Sequence, residues 1–169
     1  MTVSLSGLIR FGFKDACSSP DADHHFQEAQ ARSPVLYGTC LLDLPRLMQC
    51  REVPAGRQDD VLAAVIQAYR CGPASMWGPV LLGMLGPALV RMARRLQPQP
   101  PGIDGEDLDQ QVIVEALRAA ALMPLPDGCR FVQRRLIAFT AKRLTRWLER
   151  ESRRQGSQAS FEPISENLR

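Results

Sequence analysis

Apolar residues recur at helical spacing in four segments of this chain, and Gly and Pro separate the segments. Residues three and four positions apart fall on one face of an α-helix, and an apolar face has to be buried against another element. The breaks at residues 72–73, 97–102 and 123–128 hold the Gly and Pro that end helices. The pattern therefore predicts an all-α fold, a compact bundle of about four main helices.

The first two predicted helices lie on either side of Gly72-Pro73. The first opens at Asp59 or Asp60, because either carboxylate can accept the unpaired amides of a first turn. The second carries one apolar stripe, whose members are Trp77, Leu81, Met84, Leu85, Ala88, Met92 and Leu96. Proline removes an amide and clashes with the preceding turn, so we expect a kink or a break at Gly86-Pro87.

The third and fourth predicted helices follow a Pro-rich linker at residues 97–102. Asp104 caps the third helix, and the acidic residues of its first turn complement the amide-rich end. The fourth helix runs from about Arg130 to Glu151. Its inward-facing residues are Val132, Leu136, Phe139, Leu144, Trp147 and Leu148.

These helices predict one helical domain over residues 57–152. Residues 1–33 are polar with little periodicity, which predicts a flexible N-terminal arm, and residues 153–169 predict a disordered C-terminal tail. Residues 34–56 hold a short apolar piece broken by Gly and Pro. This lead-in segment is either a helical turn or an extended stretch packed on the domain.

Cysteine usage and hydropathy predict the compartment. The five cysteines are odd in number and scattered, which is typical of free thiols in a reducing cytosol. Arg10 and Lys14 interrupt the N-terminal apolar residues, so no signal peptide is expected. The most apolar stretch, residues 76–89, is shorter than the roughly 20 residues that span a bilayer. We therefore expect a cytoplasmic protein without a membrane partner.

Few residue patterns here suit catalysis. The only two histidines, His24 and His25, are adjacent, and the sequence holds no phosphate loop, nucleophile elbow or histidine-bearing metal motif. We expect no enzyme, no catalytic residue, no metal site and no cofactor. A small hydrolase or metal enzyme is an alternative that no motif supports.

The charge of the chain is concentrated in the fourth predicted helix. Arg130 to Arg154 contains nine Lys/Arg and two Glu, which leaves twelve bases and sixteen acids for the rest of the chain. Successive cations fall on one side of the helix, where a phosphate backbone would displace counterions. A solvated helix face is the alternative, but such a face usually mixes acids with bases. The stripe consists of Arg135, Lys142, Arg146, Arg150 and Arg153. It is flanked by Arg134, Arg143 and Arg154.

The third predicted helix has a second face that is acidic to polar. Asp107, Gln111, Val114 and Arg118 follow one another at intervals of four, three and four, with an exposed Val at the centre. A partner helix could dock there, and an ordinary outer face is the alternative.

Three pieces follow one another along residues 61–151. Residues 86–96 read Gly-Pro-Ala-Leu-Val-Arg-Met-Ala-Arg-Arg-Leu, residues 107–119, after a linker, read Asp-Leu-Asp-Gln-Gln-Val-Ile-Val-Glu-Ala-Leu-Arg-Ala, and residues 134–150 form an Arg-rich helix. In this order of parts the chain resembles region 2 of bacterial RNA polymerase sigma factors, especially those of the extracytoplasmic-function type. The family's counterpart of residues 86–96 is close to Ala-Pro-Arg-Leu-Leu-Arg-Leu-Ala-Arg-Arg-Leu, and that of residues 107–119 is close to Asp-Leu-Val-Gln-Glu-Val-Phe-Leu-Arg-Leu-Leu-Arg-Ala.

The resemblance implies two binding surfaces. The third helix would dock on the clamp helices of the largest subunit of core RNA polymerase, and the fourth would lie along promoter DNA. The implied polymerase-binding residues are Asp107, Gln110, Gln111, Val114 and Arg118. The DNA-binding residues are Arg134, Arg135, Lys142, Arg143, Arg146 and Arg150.

The chain departs from the family in three places. Family members place an aromatic residue early in the last helix, where this chain has Gln133 and Arg134, so we expect contacts with phosphates rather than bases. Residues 152–169 are too few for the family's second, helix-turn-helix domain, which we expect to be lacking. Asp109 and Glu115 replace apolar and basic residues of the string.

The sequence thus predicts a stand-alone, degenerate sigma region 2 that binds core RNA polymerase or a regulatory protein, and nucleic acid through its phosphates. The alternative is a helical interaction module that has kept the fold without the polymerase and binds another protein through the Val114 face.

Overall fold

The computed structural model describes residues 4–96, 103–126 and 128–159, with side chains described as far as residue 154. All regular secondary structure in the described residues is helical, and none of it is strand, which confirms the all-α prediction. In place of about four main helices, they form seven α-helices. The helices are α1 Leu5–Cys17, α2 Ala22–Arg32, α3 Leu44–Leu47, α4 Ala55–Cys71, α5 Ala74–Arg95, α6 Gly105–Leu122 and α7 Val132–Ala159.

Helix α5 forms the centre of the core. Helices α1, α3, α4, α6 and α7 all pack against it. Its predicted apolar stripe is buried from Trp77 to Leu85, and the Trp77 ring packs near Phe26 of α2, with ring centroids 6.4 Å apart. By length and composition α5 could also cross a membrane, with a mean hydropathy of 1.3, but 67% of that window is buried by the rest of the protein. Such burial is typical of a core helix.

Helix α5 runs without interruption through both of its prolines, so of the two expectations at Gly86-Pro87, a kink or a break, the break is wrong. The reason is tertiary packing by α1, which lies close against this face. A Cβ atom at Gly83 would come within 2.9 Å of the Phe13 ring, and one at Gly86 would lie 3.4 Å from Ile9 Cγ2. Apolar packing between α1 and α5 stabilises the helix and compensates for the hydrogen bond that Pro87 cannot donate.

Helices α1 and α2 occupy the part of the chain that was expected to be a flexible arm, so that prediction is wrong for residues 4–33. Leu5 and Ile9 of α1 and Phe26 of α2 are buried in the common core. The N–H of Leu5 donates to Asp109 Oδ2 of α6 at 2.8 Å, which caps α1. Helix α2 has few apolar residues, which hides it in the sequence. Helix α1 has apolar residues at helical spacing, but its two glycines and the polar composition of residues 14–33 mask that signal.

The lead-in segment of residues 34–56 takes the helical alternative. Two 3₁₀ turns, Pro34–Leu36 and Leu41–Asp43, lead into the single turn of α3. Leu36 and Leu44 are fully buried. The segment therefore belongs to the core rather than to a separate linker.

Asp59 caps a different helix from the one expected. Helix α4 begins at Ala55, and Asp59 is buried in its second turn. Its two carboxylate oxygens accept the N–H groups of Phe131 and Val132, at 2.7 and 2.8 Å. Asp59 thus fixes the start of α7, two residues later than predicted, with Phe131 exposed and in the left-handed region at φ +57°.

The two ends of α6 are also capped. Asp104 accepts the N–H of Asp107 at 2.7 Å, which confirms the predicted cap. Arg70 of α4 donates to the carbonyls of Ala120 and Met123 at the other end.

Helix α7 continues past its predicted end. It includes residues 153–159, so the predicted disordered tail is wrong there. Residues 160–169 and the predicted linker at 97–102 lie outside the described residues.

We predict that Asp59→Ala lowers the free energy of unfolding by about 1–3 kcal/mol, because two amides at the start of α7 lose their acceptor inside the protein. Denaturant unfolding measures the change. The exposed neighbour Asp60 is the matched control, and Asp60→Ala should stay within about 0.5 kcal/mol of the parent protein. Equal stability losses for the two variants would contradict the capping role.

Candidate functional site

Helices α6 and α7 pack side by side, and a buried carboxylate joins them. Glu115 of α6 is 1% exposed. Its Oε1 accepts from Gln111 Nε2 at 2.9 Å and from Arg118 Nη1 at 3.1 Å, and its Oε2 accepts from Arg143 Nε of α7 at 2.5 Å. Three donors therefore satisfy both oxygens of a charge that would otherwise be unpaired in the interior.

Arg143 therefore does not belong to the exposed basic surface that the sequence predicts. Its side chain is only 29% exposed and its charge is balanced by Glu115. Helical periodicity places Arg143 beside Lys142 and Arg146 on α7, but it cannot reveal a partner 28 residues away on another helix. Arg143 is withdrawn from the exposed surface because the buried Glu115 carboxylate needs a positively charged partner, and Arg143 is the residue of α7 that contacts it.

The outer side of α6 carries the five predicted polymerase-binding residues. We call this surface the α6 face: Asp107, Gln110, Gln111, Val114 and Arg118. Gln111 is half-buried, the other four are exposed, and Val114 is 38% exposed at the centre. The bonds to Glu115 hold the Gln111 and Arg118 side chains in one orientation. The structure thus brings all five residues to one surface, as the spacing predicts.

A groove of about 320 Å³ runs between the α6 face and the C-terminal half of α7. Trp147 and Glu151 of α7 line it opposite Asp107, Gln110 and Val114. The sequence assigned Trp147 to the core by its spacing. Its half-exposed position in this groove makes it an additional site residue, which only the packing of α7 on α6 reveals.

The outer side of α7 carries the remaining predicted cations. We call this surface the α7 basic face: Arg134, Arg135, Lys142, Arg146 and Arg150, all of which are exposed. The Arg135 guanidinium contacts the Cys129 thiol and lies 3.4 Å from the Pro124 carbonyl oxygen, so it is folded back onto the preceding loop. No carboxylate of the described residues forms an ion pair with any of these five cations.

A second groove, of about 510 Å³, lies between the end of α5 and the start of α7. Arg91 and Arg95 of α5 and Arg134 of α7 line it above the apolar side chains of Met92 and Ile137. The arginines of α5 are visible in the sequence, but their spacing alone predicts no role for them. Their position beside Arg134 depends on how α5 and α7 pack.

The described residues contain no group of three or more His, Cys, Asp or Glu side chains that could hold a metal ion. His25 lies 3.4 Å from Glu28 on the surface of α2. Burial, together with the charge of nearby Cys40, raises the pKa of the Cys17 thiol to about 11, so this thiol is a poor nucleophile at neutral pH.

Comparison with protein-family models, curated proteins and solved structures finds no match to this chain. The candidate site is therefore interpreted from its own residues.

We predict that Glu115→Ala lowers the free energy of unfolding by about 2–4 kcal/mol, because Arg143 loses the charge that balances it in a half-buried position. Denaturant unfolding measures this change, with the exposed Glu149→Ala as the matched control. The double variant Glu115→Leu with Arg143→Leu should recover most of the loss, since both buried charges are removed together. A Glu115→Ala variant as stable as the Glu149→Ala control would contradict the role of the ion pair.

Proposed function

We propose that this protein is a transcription protein similar to sigma factor region 2, which binds core RNA polymerase through the α6 face and nucleic acid through the α7 basic face. The observation that carries the proposal is the Glu115–Arg143 link between α6 and α7. This link fixes how α6 and α7 lie against each other, with the α6 face and the α7 basic face on the surface. The order of α4 to α7 also follows the order of parts on which the resemblance rests.

The α6 face suits a helix of a protein partner. Val114 and Trp147 supply apolar contact at the groove, and Asp107 and Gln110 supply polar groups at its rim. Because Glu115 already orients Gln111 and Arg118, these side chains lose little further freedom on binding. The clamp helices of the polymerase's largest subunit are the partner that the resemblance implies.

The α7 basic face suits phosphates rather than bases. Lys142, Arg146 and Arg150 are exposed at intervals of four along the helix, so a backbone laid against it meets several cations. Phe139 and Trp147 of the same helix are packed against the core, which leaves cations as its main outward groups.

The second candidate is a helical interaction module that binds a different protein through the α6 face. Glu115 favours it in one respect, because it withdraws Arg143 from the cations available to nucleic acid. The two functions differ in whether core RNA polymerase binds.

We predict that the purified protein binds core RNA polymerase, and that Asp107→Arg with Gln110→Arg weakens this binding at least tenfold by placing two cations on the α6 face. Both positions are exposed, so the free energy of unfolding should fall by no more than about 1 kcal/mol, the contribution of the Asp107 charge at the start of α6. Biolayer interferometry against immobilised core polymerase measures the affinity. Asp60→Arg with Gln67→Arg, on the exposed side of α4, is the control with the same change of charge. Failure of the parent protein to bind would reject the polymerase and leave the interaction module.

We predict that Lys142→Glu with Arg146→Glu weakens binding to DNA duplexes of unrelated sequence by similar factors. The slope of log affinity against log salt concentration should fall by about 2, because two phosphate contacts are lost. Fluorescence anisotropy at several salt concentrations measures both quantities. A loss confined to one sequence would contradict binding through phosphates.

A further inference from the structure

Six arginines from four helices line two grooves that meet on the far end of α5. The first is the groove between α5 and α7, lined by Arg91, Arg95 and Arg134. The second, of about 600 Å³, lies between α1, α3 and α5. Its cations are Arg10 of α1, Arg46 of α3, and Arg91 and Arg94 of α5. Arg91 belongs to both, so we call the continuous surface the arginine groove.

The arginine groove is unbalanced in charge. Among the residues that the structure describes, no acidic side chain lines either of its two parts. Arg46 lies 3.9 Å from Asp43, and the other five arginines form no ion pair with a carboxylate of the described residues. Like charges repel one another in the folded protein, so such a set destabilises the free protein and favours an anionic ligand.

The shape of the groove suits a strand rather than a single small anion. All six arginines are exposed, and they line two open grooves instead of one closed pocket. Less exposed apolar residues, among them Phe13, Val90 and Ile137, line the same grooves. Exposed cations together with apolar contacts fit the phosphates and the sugars or bases of a nucleic acid.

The arginine groove reaches the first turn of α7. Arg134 lines the groove there and is also the first residue of the α7 basic face. Guanidinium groups can also contact phosphate oxygens through two parallel hydrogen bonds.

We propose that the arginine groove binds the phosphodiester backbone of a nucleic acid, and that Arg10, Arg46, Arg91 and Arg94 extend the contact beyond α7. The inference rests on the nucleic-acid binding proposed above and is independent of the polymerase. It assigns a binding role to α1 and α3, which lie outside residues 61–151.

The test uses the full-length protein and a fluorescein-labelled 20-nucleotide DNA, offered as a single strand and as a duplex of the same sequence. Fluorescence anisotropy at several salt concentrations gives the affinity. Arg91→Glu with Arg94→Glu should weaken binding at least tenfold and lower the salt slope by about 2 for a duplex or about 1.4 for a single strand. Comparing the two DNAs identifies which form the groove takes.

Two further variants separate this inference from the proposed function. Arg146→Glu with Arg150→Glu tests the α7 basic face, and Arg32→Glu with Arg57→Glu makes the same change of charge at exposed positions outside both surfaces. If the α7 variant loses binding while the Arg91/Arg94 variant binds like the parent protein, the arginine groove is rejected and the α7 proposal stands. If the parent protein binds neither DNA, both nucleic-acid proposals fail.

Two controls complete the test. Arg91→Gln with Arg94→Gln removes the charges with little change in size, and it should reproduce most of the loss of binding without lowering thermal stability, because it relieves repulsion between like charges. Labelled polyglutamate of matched charge represents an acidic protein segment. If polyglutamate binds as tightly as the DNA and is lost in the same variants, the ligand is an acidic protein and the nucleic-acid assignment is overturned.

Discussion

The position of α7 depends on two carboxylates that other helices bring into the interior. Asp59 of α4 binds the first amides of α7, and Glu115 of α6 binds Arg143 eleven residues after the helix begins. A buried carboxylate without such donors is strongly unfavourable, so α7 can neither slide nor rotate without leaving one of them unpaired. The outward direction of Lys142, Arg146 and Arg150 follows from this constraint. The exposed surface is therefore specified by polar contacts inside the protein.

A second constraint acts on the opposite side of the core. Glycines in α5 allow α1 to approach so closely that a single added methyl group at Gly83 would meet the Phe13 ring. The same approach brings Arg10 to a surface shared with Arg94. The small residues on this face of α5 thus allow α1 to pack closely, and they also bring Arg10 and Arg94 to one surface.

The sequence predicts what repeats along a helix, and it misses what depends on a partner elsewhere in the chain. The apolar stripe of α5, the cap at Asp104 and the common side of the α6 face all follow from local spacing. Helix α1 carries apolar residues at helical spacing, Leu5, Leu8, Ile9 and Phe13, but two glycines and the polar residues that follow α1 dilute that signal over residues 1–33. The continuous course of α5 through Pro87 could not be predicted from α5 alone, because the packing of α1 on α5 supplies the compensation. For the same reason spacing assigned Arg143 to solvent and Asp59 to its own helix. In both cases the true partner is a group on another helix.

The cap at Asp59 leaves Phe131 in a backbone conformation that suits glycine and is unfavourable for a large side chain, by about 1–2 kcal/mol. Its ring is 68% exposed, so burial returns little of that energy. The folded state accordingly stores conformational energy at a single residue, next to the first turn of the helix that carries the α7 basic face. The folded state is therefore less stable by this amount than it would be with a relaxed backbone at residue 131.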